Sequence, residues 1–303
     1  MPLTLKQIRY FIATADFGQI SLAAKEFNIS QSTVTASIRQ LEEDVGMPLF
    51  ERLPSGVSLT NEGARFLQHA HNIMAAVNEA VQTPLSTETN LSGSVRIGIT
   101  STVAGYFMPK LYVRFTRSYP NLKLEMIELA RPKIENSLLK GDLDIAVILV
   151  SNLRDRQHIE CDTLLRSKRR LWLPSNHPLL EAEAVTLNDV AKEPYIMLTI
   201  DEADQTTSKY WMPTGLGPKT IFSTSAVEAV RSMVAAGMGI TILSDMVYRP
   251  WSLDGQRIET VNLVEDIPTM DVGLAWNPEK AMTPMTKAFM DFMSVSFSGV
   301  GSE

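Results

Sequence analysis

The sequence predicts two architectures in tandem: an N-terminal all-α winged helix-turn-helix continued by a long linker helix, then a C-terminal α/β domain. Three observations carry this. Apolar residues recur at helical spacing between well-placed caps over the first 45 residues, and a Pro/Gly turn follows between two short extended segments. From residue 94 onward, strand-like and helical stretches alternate.

Thr4–Phe17 places Leu5, Ile8, Phe11, Ile12 and Ala15 on one helical stripe, with Thr4 as N-cap and Gly18 as the stop. A second, short helix follows, with Ser21 as cap and Leu22, Ala23, Ala24 and Phe27 on its buried side. Asn28 suits the left-handed conformation that ends a helix. A third helix starts at Ser30 or Gln31 and turns Val34, Ile38, Leu41 and Val45 inward, leaving Gln31, Ser32, Thr35 and Arg39 outside. Two helices on so short a turn, the second with hydroxyls and amides on its open face, describe a helix-turn-helix whose second helix enters the major groove. Pro48–Arg52 and Val57–Thr60, around Pro54-Ser55-Gly56, form a β-hairpin wing that brings Arg52 and the turn residues near phosphates.

Asn61–Gln82 contains no proline and spaces Leu67, Ala70, Met74, Val77 and Val81 by 3, 4, 3 and 4, with Thr60 as cap and Pro84 as stop. Such a helix either packs on its own domain or pairs with a second copy. Leu85–Ser94, rich in Ser, Thr and Asn, reads as a hinge. His69 and His71 face different sides of the helix and cannot share a metal.

Beyond the hinge, strands are expected at Val95–Thr100, Leu122–Leu129 and Leu143–Val150, then near Arg170–Leu173, Tyr195–Thr199, Thr220–Ser223, Gly239–Leu243 and Asp271–Ala275. Helices are expected at Val103–Arg117, Ile134–Lys140, Leu187–Ala191, Ala226–Ala236 and Pro284–Phe297. The alternation predicts a parallel sheet with covering helices. Ligands of such sheets sit at the carboxyl ends of strands. Thr100, Ser101 and Thr102 collect hydroxyls at one such place, Thr224 and Ser225 at another, Thr199 closes a third strand, and Arg131 follows the second strand. Hydroxyls, backbone amides and one guanidinium suit a carboxylate. Thr102 and Ser225 read equally well as helix caps and Arg131 as a surface ion-pair partner, while Asp201, Glu202 and Asp204 point instead to an amine or a solvated loop.

Composition narrows the function classes. The net charge is −6, and residues 1–65 hold six basic against seven acidic residues, so bulk electrostatics does not announce a nucleic-acid partner. One cysteine, Cys161, excludes an intrachain disulfide and fits a reducing cytoplasm. No apolar run approaches the ~18 residues of a membrane span, and Met1–Lys6 lacks the basic-then-apolar order of an export signal. Neither Gly-x-Ser-x-Gly, a Walker loop nor His-Glu-x-x-His is present, so an enzyme is not expected, and no cofactor or metal is called for.

The run Ala23-Ala24, Ile29-Ser30-Gln31-Ser32, Ile38, Leu41-Glu42, Gly46, Leu49-Phe50-Glu51-Arg52, Gly56, Leu59-Thr60 and Gly63 resembles the N-terminal signature of LysR-type transcriptional regulators. Tyr119-Pro120, Leu139-x-Gly141-x-Leu143-Asp144, His177-Pro178-Leu179 and Val234-x-x-Gly237-x-Gly239-Ile240 agree with the same family. The resemblance implies a winged helix-turn-helix over 1–60, a dimerisation helix and hinge over 61–91, and a two-lobed, periplasmic-binding-protein-like effector domain over 92–303. Lobe I would take about 92–163 and 268–303, lobe II about 164–267. It implies promoter DNA contacted by Gln31, Ser32, Thr33, Thr35, Arg39, Arg52 and Ser55, and a small organic effector, carboxylate or aromatic carboxylate, near Thr100, Ser101, Thr102, Arg131, Thr199, Thr224 and Ser225. It further implies a dimer of dimers, leaves room for RNA polymerase as a partner, and gives no place to a membrane. The chain departs from the family at Thr35-Ala36-Ser37, where Ser-Arg-Gln is usual, in an arginine-poor wing, and at Arg131, where glycine is commoner. A solute-binding protein would leave the N-terminal module unexplained, and an enzyme with a fused DNA-binding domain lacks a catalytic constellation.

Overall fold

Residues 3–53, 56–82 and 91–297 are described by a computed structural model. The chain divides into two compact units, Met1–Ser86 and Thr87–Glu303.

In the first unit, α1 (Leu5–Phe17) starts on a capping box: the Thr4 hydroxyl accepts the Gln7 N–H, and Gln7 Oε1 accepts the Thr4 N–H. Gly18, left-handed at φ 64°, ends it. The reversal there starts α2 (Ile20–Glu26) earlier than expected, with Gln19 and not Ser21 at the cap position. The buried face shifts accordingly. Ile20 packs beside Ala23 and Ala24, whereas Leu22 is exposed. Asn28 is left-handed (φ 52°), and α3 (Gln31–Val45) begins from Ser30, whose hydroxyl accepts the Thr33 N–H.

The wing is the antiparallel pair β1 (Phe50–Leu53) and β2 (Gly56–Leu59). Glu42 Oε1 accepts the Leu49 and Phe50 amides (2.8 and 3.1 Å), tying α3 to the first strand. Val57 N–H donates to the Gly18 carbonyl (2.8 Å), and a Cβ at Gly56 would lie 2.3 Å from that oxygen, so glycine is required there. From Thr60, which accepts the Gly63 N–H, α4 (Asn61–Gln82) sets Ala70 fully buried among Ile8, Phe11, Leu41 and Leu49. Phe66, Leu67, Ile73 and Met74 pack on the same cluster. As far as Met74, then, the apolar stripe serves its own domain.

At Gly63 a Cβ would meet the Leu49 carbonyl oxygen at 2.0 Å, and neither backbone can give way freely. Gly63→Ala should destabilise the N-terminal unit by about 1–3 kcal/mol through overpacking. Urea unfolding of the full chain should show this as an earlier first transition; an unmoved transition would mean α4 has slack at this contact.

The second unit opens with β3 (Gly93–Ile99), so the end of the expected hinge is already strand; its residues 85–90 lie outside the described residues. The helix expected at Val103–Arg117 is two, α5 (Ser101–Tyr106) and α6 (Met108–Ser118), broken at Phe107 where Pro109 supplies no N–H to the ladder. Next come β4 (Leu122–Glu128), α7 (Arg131–Lys140), β5 (Ile145–Leu149) and β6 (Glu160–Ser167). β7 (Arg169–Pro174), α8 (Leu187–Val190), β8 (Pro194–Leu198), α9 (Ala203–Trp211), β9 (Lys219–Thr224), α10 (Val227–Ala235), β10 (Thr241–Ser244) and β11 (Ile258–Val261) follow. β12 (Met270–Trp276) and α11 (Pro284–Phe297) close the unit.

The strands form a five-stranded sheet ordered β4-β3-β5-β12-β6, a three-stranded sheet β10-β7-β11 and the pair β8-β9. The expected all-parallel arrangement is corrected to a mixed one. β3 is parallel to β4 and β5, but β12 is antiparallel to β5 and β6, and β7 is antiparallel to β10 and β11. β6 and β12 carry the chain out of one lobe and back into it, with no crossover helix to impose parallel pairing. The lobe crossing expected at about 163 falls inside β6, whose pairing with β12 runs on to Ser167 opposite Met270. Buried clusters around Ile97 and Phe115, and around Ile134 and Ile148, fill the faces of the first sheet. Clusters around Tyr195 and Trp211, and around Trp172 and Val230, fill the second lobe.

Candidate functional site

Two places answer to the expected chemistry, one in each unit. In the first, α3 presents Gln31, Ser32, Thr35, Ala36 and Arg39 around an open concavity of about 480 Å³. Ser30, Ser32 and Thr33 share hydroxyl hydrogen bonds (2.7–2.8 Å) that hold the first turn, and Thr35 Oγ1 donates to the Gln31 carbonyl (2.9 Å). Arg39 pairs with Glu43 at 3.2 Å with side chains 81% and 55% exposed, a contact water screens and DNA could replace. Arg52 is exposed on β1, while Ser55 lies outside the described residues. Ala36, beside Thr35 on the open face, offers no hydrogen-bonding side chain and so carries no such signal in the sequence.

The second place is a cleft of about 160 Å³ between the lobes of the C-terminal unit, lined by Thr100, Ala130, Arg131, Pro132, Leu149, Asn152, Asp201 and Glu202. Thr100 follows β3, Arg131 opens α7, and Asn152 follows β5, all at carboxyl ends of parallel strands. Asn152 was missed, although that placement rule points to it. The Thr100 hydroxyl is buried and finds no partner among the described residues.

Arg131 is not a surface residue: its side chain is 5% exposed. Nε and Nη2 donate to the two Glu202 carboxylate oxygens (2.8 and 2.6 Å), and Nη1 donates to Glu135 (2.6 Å). The fork on Glu202, then the bond to Glu135, hold the guanidinium proton more tightly than usual against the opposing effect of burial. Glu202 is held below its ordinary value by the Arg131 hydrogen bonds, with burial working the other way. Beside it, Asp201 Oδ2 accepts the Thr102 N–H at 2.7 Å, and Asn152 Nδ2 donates to the Asp201 carbonyl at 2.8 Å. Asp201 and Glu202 are consecutive left-handed residues, at φ 49° and 64°. For residues with a Cβ that conformation costs roughly 1–2 kcal/mol each, less for Asp than for Glu.

The remaining expected residues divide. Thr102 is buried and contributes its amide, while the Ser101 hydroxyl is engaged by Glu128. Ser101, Thr102, Thr199, Thr224 and Ser225 are not among the cleft's lining residues. Thr199 is exposed and its N–H donates to the Thr224 carbonyl, and Thr224 Oγ1 accepts the Ala226 N–H. Ser225 does not cap α10; Ala226 holds that position. A second tie between lobes runs from Tyr106 Oη to Glu228 (2.9 Å), and Glu228 in turn is bound by the buried Arg231. Among the described residues no cluster of His, Cys, Asp and Glu could hold a metal ion, and no helix is long and apolar enough to cross a membrane.

Comparison with known proteins agrees with this arrangement. The family described as bacterial regulatory helix-turn-helix protein, lysR family, matches residues 5–64, and the LysR substrate binding domain matches 88–297. The HTH-type transcriptional regulator YwqM of Bacillus subtilis is 33% identical over 97% of this chain and 100% of its own. AlsR, an HTH-type transcriptional regulator of the same organism, is 28% identical over 83% of this chain and 84% of its own. The crystal structure of HinK, a LysR family transcriptional regulator from Pseudomonas aeruginosa, superposes with a TM-score of 0.61 at 27% identity, covering 97% of this chain and 98% of that one.

Proposed function

The chain belongs to the LysR family of DNA-binding transcriptional regulators, and from that premise we propose that it reads promoter DNA with Gln31, Ser32 and Thr35 and answers to a small organic carboxylate bound between its lobes. Regulators of this family bind promoter DNA and small-molecule effectors and are not enzymes.

Carrying the carboxylate reading is one observation: the buried Arg131 faces the cleft and is matched there by carboxylates alone. Beside it stands the unpartnered Thr100 hydroxyl, able to take a ligand oxygen, and the Thr102 amide already holds a carboxylate, that of Asp201. A cationic effector is the second reading, favoured by Asp201, Glu202 and Glu135 outnumbering Arg131. Calorimetry on the full chain with matched carboxylate, amide and amine ligands separates the two. Heat from the amine alone would sink the carboxylate. A dimer of dimers in the cytoplasm, able to meet RNA polymerase at a promoter, completes the proposal. The exposed Ile221 and Phe222 of β9 offer an apolar strip for the contact between C-terminal domains of two copies.

On DNA, Gln31→Ala or Thr35→Ala should cost about 1–3 kcal/mol at the cognate site and little elsewhere. Arg52→Ala should weaken binding to every sequence alike and flatten the salt dependence, because it releases one counterion fewer. Fluorescence anisotropy with cognate and scrambled duplexes over a salt series reads both effects. Equal losses on the two duplexes for Gln31→Ala would remove it from base reading.

A further inference from the structure

We propose that the Ile200–Glu202 turn is a built-in occupant of the interlobe cleft, which the effector must lift out in order to bind; this rests on the carboxylate reading above. The turn belongs to lobe II, between β8 and α9, yet both its acids bond to lobe I. Asp201 takes the Thr102 N–H and Glu202 takes the forked face of Arg131. Those are the donors a small carboxylate would use.

Three further features mark the turn as displaceable. Asp201 and Glu202 hold two left-handed conformations in succession, a geometry favoured only while the bonds to lobe I persist. Neither acid is part of a buried apolar cluster, so withdrawing the two of them uncovers little core, while Ile200, packed against the cluster around Trp172 and Val230, stays as the anchor of the turn. The space left beside them, about 160 Å³, falls below the roughly 300–1,000 Å³ of ordinary ligand pockets and would grow as the turn leaves. The buried Thr100 hydroxyl, with no partner while the turn is in place, gives an incoming ligand a contact the turn does not make.

The consequence is a filter. A tethered carboxylate competes at high effective concentration, so generic anions lose to it, and only a ligand with additional contacts displaces it. Displacement also frees the start of α9, for which Glu202 is the cap residue. Effector binding and a lobe rearrangement are thereby one event, with the differential affinity that a shift between states requires.

Hydrogen–deuterium exchange on the full chain tests this, using native protein, Glu202→Gln and Asp201→Asn, each with acetate and with acetamide as the uncharged control. In Glu202→Gln, exchange should rise on the order of tenfold at Thr102 and across residues 199–203, and nowhere else. Acetate, not acetamide, should then restore protection at Thr102 alone, with affinity at least about tenfold above that of the native chain. Asp201→Asn should free Thr102 in the same way, which covers the case of Glu202→Gln folding poorly. Unchanged exchange in both variants, or faster exchange spread through both lobes, would overturn the proposal in favour of a structural ion pair. Acetate bound equally by native and variant chains with the turn still protected would overturn it too, and leave the carboxylate reading standing. A freed turn that acetate cannot replace would uphold the occupant and remove the carboxylate as the effector.

Discussion

Val77→Asp is expected to dissociate the oligomer and abolish operator binding while the C-terminal unit stays folded. Up to Met74, α4 spends its apolar stripe on its own domain, where Ala70 is fully buried against Ile8, Phe11, Leu41 and Leu49. Val77 lies three residues further along the stripe and is half-buried within the single chain. If its remaining surface is covered by the α4 of a second copy, the substitution places two uncompensated carboxylates at one apolar contact. Each then carries a desolvation cost of several kcal/mol, which is enough to exceed the free energy of a helix pair. Operator binding falls with it, because tethering two DNA-binding domains raises avidity by about 10²–10⁴ over one. Sedimentation velocity reads the oligomer, anisotropy the DNA affinity, and Val77→Leu serves as the apolar control. An unchanged sedimentation coefficient would place Val77, like Met74, on its own domain.

What the sequence made legible follows the range of the forces involved. Helix limits at Thr4, Gly18 and Ser30 are set by bonds spanning three or four residues, and the structure has them where the caps stand. Ser21 misled because the left-handed Gly18 fixed the start of α2 before a serine could, moving the apolar face from Leu22 to Ile20. β6 went unread since its edge position leaves Glu160, Asp162 and Arg166 in the strand, with only Leu164 and Ser167 buried. α9 was hidden behind acids that looked like a solvated loop. Thr100 and Arg131 line the cleft, where a rule about strand ends points. Glu202, which takes the fork of Arg131, and Asp201, which takes the Thr102 amide, stand 71 and 99 residues away, a tertiary fact with no local signature. Thr224 and Ser225 stand outside the cleft's lining: their hydroxyl pattern is local, and local bonding at the start of α10 absorbs Thr224.

Arg131→Ala should be the most damaging single change in the C-terminal unit, and damaging in a pH-dependent way. The guanidinium neutralises two carboxylates whose side chains are 12% and 22% exposed. Removing it leaves Glu135 and Glu202 as like charges facing a cavity, and breaking a buried pair in this manner costs about 3–5 kcal/mol. The residual exposure of Glu202 lets water offset part of that, so the loss should lie near the lower figure. In the native chain Glu202 is held below its unfolded value of 4.5, first by its hydrogen bonds to Arg131 and further by the charges of Arg154 and Lys209. Its contribution is therefore complete above that value and disappears as pH falls through the lower, folded one. In the variant the sign reverses. Without the arginine, burial is left to raise the folded Glu202 carboxyl, so the variant regains stability as Glu202 takes up a proton. The gap between native and variant should be widest at neutral pH and narrow on acidification from both sides. Urea unfolding of the full chain across that range measures it directly. The double variant Arg131→Met with Glu202→Gln should recover part of the loss at neutral pH, since it removes a charge from each side of the pair. A gap that stays constant with pH would mean that Arg131 acts through packing alone, and that Glu202 does not depend on it for its ionisation.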